Sequence, residues 1–236
     1  MTDWGLGTRD SVATESRIPG PGSRAPALKL LSADFVTSAA AGGRGHGIPH
    51  DGLAHVALAG RSNVGKSTLI NALCRTKIAR TSAAPGKTRL ANLYRIGLEG
   101  GAGGPGRWST YIVDLPGFGY ARGGASSADE LRAVAEAYFR EAADARRVTL
   151  LLVDARHPGL ETDLAAAHWL DGMGVERKVV ATKVDKLSRA ERARNLRIIG
   201  DVLGMAALPV SATSGEGLDA LWTTIATIAR DVVPRG

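Results

Sequence analysis

The chain contains very little cysteine and no long apolar run. Its 236 residues include one cysteine, Cys74, which excludes an internal disulfide and fits a reducing cytoplasm. The absence of any apolar run of about 18 residues argues against a membrane-spanning helix. The first 22 residues also lack the apolar segment of a secretory signal. We therefore expect a cytoplasmic protein with no membrane span.

Acidic residues are absent from residues 52–98, although the whole chain carries a net charge of +7. A stretch with basic but no acidic residues indicates that a polyanion binds nearby, which could be the phosphates of a nucleotide, RNA or both. A solvated surface is the alternative, but the lack of compensating acids weakens it. The basic residues of this stretch are Arg61, Lys66, Arg75, Lys77, Arg80, Lys87, Arg89 and Arg95.

Residues 1–25 are rich in Gly, Pro, Ser and charge, so we expect a disordered tail there and one domain over residues 26–236. Apolar strands are predicted at residues 55–59, 91–96, 108–114, 148–153, 178–181 and 206–210. The glycine-rich residues 97–106 join the second and third of these as a hairpin. Helices are predicted at residues 68–75, from Ser127, at 161–173, from Ser188 to about 203, and at 218–228.

Strands that alternate with helices predict a three-layer α/β fold. Its sheet should be mostly parallel, with one antiparallel edge strand and helices on both faces. Ligands of such sheets bind at the carboxyl ends of the strands. The chemical motifs of this chain all fall at those ends.

The strongest motif is Gly60-Arg-Ser-Asn-Val-Gly-Lys-Ser67, which follows a predicted strand and precedes a helix. It matches the phosphate loop G-x-x-x-x-G-K-[ST] in its required context and indicates a P-loop NTPase with a Ras-like G domain. Its glycines let backbone N–H groups converge on phosphates at the start of a helix. Lys66 should reach the β- and γ-phosphates, and the Ser67 hydroxyl should ligate Mg²⁺.

Two further segments complete the predicted phosphate and metal site. Asp114-Leu-Pro-Gly117 ends a predicted strand, where Asp114 can hold Mg²⁺ through water and the Gly117 N–H can contact the γ-phosphate. Pro85-Gly-Lys-Thr88 lies between these motifs, and Thr88 can complete the magnesium shell. The loop around Thr88 is expected to order and disorder with the nucleotide state.

The base motif is Thr182-Lys-Val-Asp185, after the predicted strand at residues 178–181. The Asp185 carboxylate can accept hydrogen bonds from N1–H and the 2-amino group of guanine. Adenine offers no such donor pair, which favours GTP over ATP and argues against an ATPase of the same fold. The Lys183 stem can lie over the base, and Ser211-Ala-Thr213 can contact the guanine carbonyl.

The predicted ligands are GTP or GDP with Mg²⁺. The predicted catalytic residues are Lys66, Thr88 and Asn63, and the predicted metal ligands are Ser67, Thr88 and Asp114. The predicted nucleotide-binding residues are Gly60, Arg61, Ser62, Asn63, Val64, Gly65, Lys66, Ser67, Thr68, Gly86, Lys87, Thr88, Asp114, Gly117, Thr182, Lys183, Asp185, Ser211, Ala212 and Thr213.

The sequence resembles the EngB (YihA/YsxC) family of bacterial GTPases, within the wider TrmE-Era-EngA-like group. The matching pieces are Phe35-Val-Thr-Ser-Ala39, GRSNVGKS, PGKT, Asp114-Leu-Pro-Gly-Phe-Gly-Tyr-Ala121 and TKVD. The resemblance implies GTP hydrolysis, magnesium dependence, association with the large ribosomal subunit and its rRNA during assembly, and a link to cell division and septation. No DNA partner is expected, and we expect the protein to be a monomer.

One position departs from the Ras-like pattern. Where Ras-like proteins have a glutamine that orients the attacking water, this chain has Phe118. Slow intrinsic hydrolysis is therefore expected, and Asn63 is a candidate ligand of K⁺ beside the phosphates, as in TrmE-like GTPases. The alternatives are that Asn63 only stabilises the loop, and that the chain is a constitutive RNA-binding module that uses nucleotide structurally.

Overall fold

A computed structural model of the chain describes residues 27–39, 47–79, 90–101, 106–118, 125–142 and 146–230. The tail predicted at residues 1–25 lies outside this part. The elements, in chain order, are β1 (Lys29–Ala39), β2 (His55–Gly60), α1 (Lys66–Cys74), β3 (Ala91–Glu99), β4 (Arg107–Asp114), α2 (Ala125–Glu141), β5 (Arg147–Asp154), α3 (Glu161–Gly172), β6 (Arg177–Thr182), a 3-10 turn (Val184–Lys186), α4 (Arg189–Leu203), β7 (Ala207–Pro209) and α5 (Leu218–Arg230).

The described strands form one sheet in the order β1-β3-β4-β2-β5-β6-β7. β3 pairs antiparallel with β1 and with β4, and the other pairings are parallel. The predicted three-layer, mostly parallel fold is confirmed, as is the hairpin, in which Glu99 pairs with Arg107. The antiparallel strand does not lie at the edge, however, because β1, which the sequence pattern does not predict, pairs outside it.

Alternate residues of the central strands enter two different apolar layers. Val56, Leu58 and Leu150 face α1 and α5, whereas Ala57 and Leu151 face α2, α3 and α4. All five are fully buried, because helices cover the parallel sheet on both faces. The three layers follow directly from this alternation.

The helix starts show which local signals are reliable. α4 begins after Ser188 with the predicted capping box, in which Ser188 and Glu191 bond each other's backbone N–H. The predicted helix α2 is present, but its predicted start was wrong, since the helix begins at Ala125 and places Ser127 inside its first turn. No helix in the described ranges is long and apolar enough to cross a membrane.

Candidate functional site

Three parallel strands have their carboxyl ends on the same side of the sheet. β2 ends at Gly60, β4 at Asp114 and β6 at Thr182, and β5 pairs with both β2 and β6. The loops that follow these ends carry the phosphate-loop, magnesium and base motifs predicted from the sequence. The fold therefore brings the described motifs to one edge, where ligands of such sheets bind.

The phosphate loop turns sharply between β2 and α1. A Cβ atom at Gly60 would lie 2.7 Å from the backbone oxygen of Leu152, so a side chain there would meet a buried strand. Asn63 and Gly65 adopt positive φ values of 64° and 111°. Gly65 precedes the first helical residue and makes no side-chain cap, which leaves the first amides of α1 to other acceptors. A helix start of this kind is suited to an anion.

Lys66 is the first residue of α1 and is only 8% exposed. Its Nζ donates hydrogen bonds to the backbone oxygens of Gly60 at 2.9 Å and Arg61 at 3.2 Å. Burial lowers the pKa of the Lys66 ammonium to about 8, and the nearby Asp114 carboxylate acts against that shift. The loop thus curls around an ammonium group that is poorly hydrated.

Ser67 and Asp114 form a pair of oxygen ligands. Ser67 Oγ donates to Asp114 Oδ2 at 2.9 Å, whereas the buried Oδ1 accepts no hydrogen bond from the described residues. Burial raises the pKa of the Asp114 carboxyl, with Lys66 and the Ser67 hydrogen bond opposing it. Hydroxyl and carboxylate oxygens are the ligands that Mg²⁺ prefers, and an unsatisfied buried oxygen fits a cation. These residues fit a magnesium ion.

The segment after β4 packs directly on the phosphate loop. The backbone oxygen of Phe118 accepts from Ser62 N at 3.1 Å, and Phe118 forms a β-bridge with Arg61. A Cβ atom at Gly117 would lie 2.9 Å from Lys66 Nζ and 3.0 Å from the Ser62 backbone. A side chain at this position would crowd the Ser62 backbone, which gives the glycine of the Asp-x-x-Gly pattern a steric reason.

The base motif is held by the loop after β7. Ser211, which is fully buried, donates from Oγ to Asp185 Oδ1 at 2.7 Å and accepts from the N–H groups of Thr213 and Ser214. The Ser211 hydrogen bond and the neighbouring Lys186 lower the pKa of Asp185. Asp185 therefore carries a full negative charge at neutral pH and can accept two hydrogen bonds from a base.

Lys183 joins the two halves of the site. Its Nζ donates to the Asn63 backbone oxygen at 2.7 Å and to Asp154 Oδ2 at 2.9 Å. Thr182 Oγ1 adds a second link by donating to the Val64 oxygen at 2.8 Å. Burial alone would raise the pKa of Asp154, but hydrogen bonds from Arg156 and Lys183 outweigh it and hold that pKa at about 2.

Asp154 belongs to none of the motifs recognised in the sequence. The available signal is that this aspartate ends a buried strand at the same edge as Asp114.

A cavity of about 230 Å³ lies between the phosphate loop and the base motif. Eight of its eleven lining residues were predicted to contact nucleotide: Val64, Gly65, Thr68, Thr182, Lys183, Asp185, Ala212 and Thr213. Predicted residues of the phosphate loop and of the base motif therefore line one common cavity.

Two parts of the predicted site need separate mention. Gly86, Lys87 and Thr88 lie outside the described residues. Arg61 lies in the loop as expected, but its guanidinium points to α3, where Nε contacts Asp163 Oδ1 at 3.1 Å. Local sequence gives no signal for this contact, which joins residues 102 positions apart.

A phosphate loop, a strand-end aspartate and a TKVD motif on this sheet define the class of P-loop GTPases. The family model described as a 50S ribosome-binding GTPase matches residues 55–183. The probable GTP-binding protein EngB of Solibacter usitatus is 41% identical over 201 residues, which cover 85% of this chain and 97% of that relative. The chain belongs to the EngB family of GTP-binding proteins.

Solved structures agree with this fold. A crystal structure of a probable GTP-binding protein EngB has a TM-score of 0.57 at 24% identity, and the match covers 75% of this chain and all of that one. Era in complex with MgGDPNP and nucleotides 1506–1542 of 16S ribosomal RNA has a TM-score of 0.59 at 25% identity. That match covers 78% of this chain and 57% of Era.

The buried ammonium of Lys66 predicts an unusual pH dependence in the nucleotide-free protein. The Lys66 pKa is about 8 in the folded state and 10.5 in the unfolded state, so the unfolded state binds more protons between these values. Lys66 should therefore make the free energy of unfolding rise with pH across this interval, by about 3 kcal/mol in total. Denaturant unfolding from pH 7.5 to 10 should show this rise, and Lys66→Met should lack it.

Lys178→Met is a matched control, because the Lys178 side chain is 47% exposed. It should keep the pH dependence of the wild type. An equal loss of the rise in both variants would contradict the assignment to Lys66.

Proposed function

We propose that this chain binds GTP and GDP together with Mg²⁺, hydrolyses GTP slowly on its own, and assists assembly of the large ribosomal subunit. Normal cell division and septation would then depend on it. The observation that carries the nucleotide part is that Lys66, Asp114 and Asp185 lie at or after strand ends on the same side of the sheet, with a cavity between the phosphate loop and Asp185. The family model described as a 50S ribosome-binding GTPase supports the ribosomal part.

Each half of the proposed site has a distinct task. The loop amides and Lys66 would hold the β- and γ-phosphates, where positive charge stabilises the transferring phosphoryl group. Ser67, Asp114 and Thr88 would hold Mg²⁺, which neutralises charge on the phosphate oxygens when bound. Gly117 would present its N–H to the γ-phosphate.

Guanine would fill the cavity between the phosphate loop and the base motif. Asp185 would accept from N1–H and the 2-amino group, with Lys183 along the base and the loop Ser211–Thr213 at the carbonyl. Ser211 and Lys186 support this role because they keep the Asp185 carboxylate ionised and fix its orientation. A site built to satisfy two donors discriminates strongly against bases that lack them.

Slow hydrolysis follows from the surroundings of Phe118. Its side chain has no polar group, and it packs against the apolar core on the side of α2 and α3. It cannot orient a water molecule as the glutamine of Ras-like proteins does. A stimulating partner, which we propose to be the ribosomal particle, would supply what this residue lacks.

A second candidate function is a constitutive RNA-binding module that uses nucleotide only structurally. Phe118 favours it to the same extent, since both functions predict weak hydrolysis. The two differ in whether ribosome affinity depends on the bound nucleotide.

Asp185→Asn tests the base assignment. The variant should lose at least about 100-fold in GDP affinity, because two hydrogen bonds to a charged acceptor contribute about 1.5 kcal/mol or more each. It should gain affinity for xanthosine diphosphate, whose 2-oxo group accepts from the new amide. Calorimetric titration with both nucleotides measures the exchange. Asp201→Asn, an exposed change on α4, should alter neither affinity, and tighter binding of ATP than GTP by the wild type would contradict the assignment.

The K⁺ proposal concerns Asn63, an exposed residue with a positive φ at the tip of the phosphate loop. A monovalent cation there would add positive charge beside the phosphates, and a tenfold gain in rate corresponds to about 1.4 kcal/mol. Hydrolysis should therefore be faster in K⁺ than in Na⁺ at fixed Mg²⁺. Identical rates in the two salts, for both the free and the ribosome-bound protein, would remove the idea.

Ribosome binding is expected to use the basic stretch that follows α1. Arg75 and Lys77 are exposed there, and Arg80, outside the described residues, continues the run. Reversing Arg75, Lys77 and Arg80 to glutamate should weaken large-subunit binding about tenfold or more at physiological salt while leaving GTP affinity nearly intact. Co-sedimentation with GTP, GDP and a non-hydrolysable analogue measures this and separates the two candidate functions.

Reversal of Arg189, Arg194 and Arg197, which are exposed on α4, gives a control with the same change in net charge. Equal losses in both triple variants would show that net charge, and not this surface, governs the association. Binding that ignores the nucleotide would favour the constitutive module.

A further inference from the structure

Arg61 and Asp163 form an ion pair in which the carboxylate is almost completely buried. Asp163, in the first turn of α3, is 2% exposed, and Arg61 Nε lies 3.1 Å from its Oδ1. The Arg61 side chain itself is 21% exposed. A buried carboxylate is costly without a partner, so the guanidinium is held at α3. Arg61 therefore does not extend toward the phosphate side of its own loop.

The backbone of Arg61 contacts a second element. Arg61 forms a β-bridge with Phe118, and its carbonyl oxygen accepts from Lys66 Nζ at 3.2 Å. The next residue, Ser62, donates from Oγ to the Gly117 oxygen at 3.4 Å and from N to the Phe118 oxygen at 3.1 Å. Movement of Arg61 would thus be transmitted to the segment Gly117–Phe118.

α3 faces this segment across a cavity. Thr162 and Ala166, one residue before and three after Asp163 in α3, line a cavity of about 270 Å³ together with Pro116 and Phe118. The Arg61–Asp163 pair therefore joins the phosphate loop to the helix that lines this cavity. No other ion pair in the described part of the chain joins residues of these two elements.

We propose that Arg61 is a positioning residue that sets the place of Gly117–Phe118 through its ion pair with Asp163, and thereby sets the preference for the triphosphate over the diphosphate. The inference rests on the proposed function, in which the Gly117 N–H meets the γ-phosphate. GDP lacks that phosphate and does not use the contact. Loss of the ion pair should reduce affinity for a GTP analogue much more than affinity for GDP.

The test compares Asp163→Asn, Arg61→Gln and the double variant by titration of GDP and of the non-hydrolysable analogue GMPPNP, both with Mg²⁺. We expect the ratio of GMPPNP to GDP affinity to fall at least about tenfold in all three proteins. The double variant matters because it leaves no unpaired buried charge, so it keeps the test valid if Arg61→Gln folds poorly.

Asp171→Asn is the matched control. Asp171 also lies on α3 and pairs with an arginine, Arg177, at 2.7 Å, but on β6 and away from the phosphate loop. It should leave the affinity ratio of the wild type unchanged. An equal fall in this control would overturn the proposal.

Four further results would overturn it. If the pair only compensates charge, the affinity ratio should return to the wild-type value in the double variant. If Arg61 binds the phosphates that GDP and GMPPNP share, the affinities for both nucleotides should fall equally. If the wild type binds neither nucleotide, the proposed function fails as well, whereas an unchanged ratio in a nucleotide-binding protein refutes the Arg61 inference alone.

Discussion

The phosphate loop is built around a buried ammonium group, and the rest of the site depends on how that charge is compensated. Lys66 is 8% exposed, and Asp114, whose charge acts on the Lys66 ammonium, is 2% exposed. Removing such ions from water costs several kcal/mol each unless other polar groups replace the water. Two loop carbonyls and one carboxylate replace part of it. The phosphates of a nucleotide would complete the compensation, so binding and folding are thermodynamically linked in this domain.

The second constraint is the close approach of separate backbone segments. Gly60 lies against β5 with no space for a Cβ atom, and a Cβ atom at Gly117 would crowd Ser62 and Lys66. Lys183 then ties the base motif to the phosphate loop through Asn63. The phosphate and base halves are consequently linked by direct hydrogen bonds. A displacement of either half would be transmitted to the other through hydrogen bonds of 2.7 and 2.8 Å.

Much of this arrangement is predictable, because it depends on local patterns. Apolar runs locate the central strands, and Ser188 with Glu191 locates the start of α4. β1 escapes prediction for a physical reason. Its register shifts between Leu30 and Ser32 and again between Phe35 and Thr37, so its sequence lacks the period-2 alternation of a regular strand. The role of Asp163 is not predictable from the sequence either, because its partner Arg61 is distant in the sequence and only the tertiary structure brings the two residues together.

The irregularity of β1 has its own consequence for the behaviour of the protein in concentrated solution. β1 is one of the two outermost described strands, and it exposes Leu31, Phe35 and Val36. A long apolar edge is a template on which another chain can add a strand and begin to aggregate. The two register shifts make β1 irregular. Irregularities of this kind are among the features by which edge strands resist the addition of another chain.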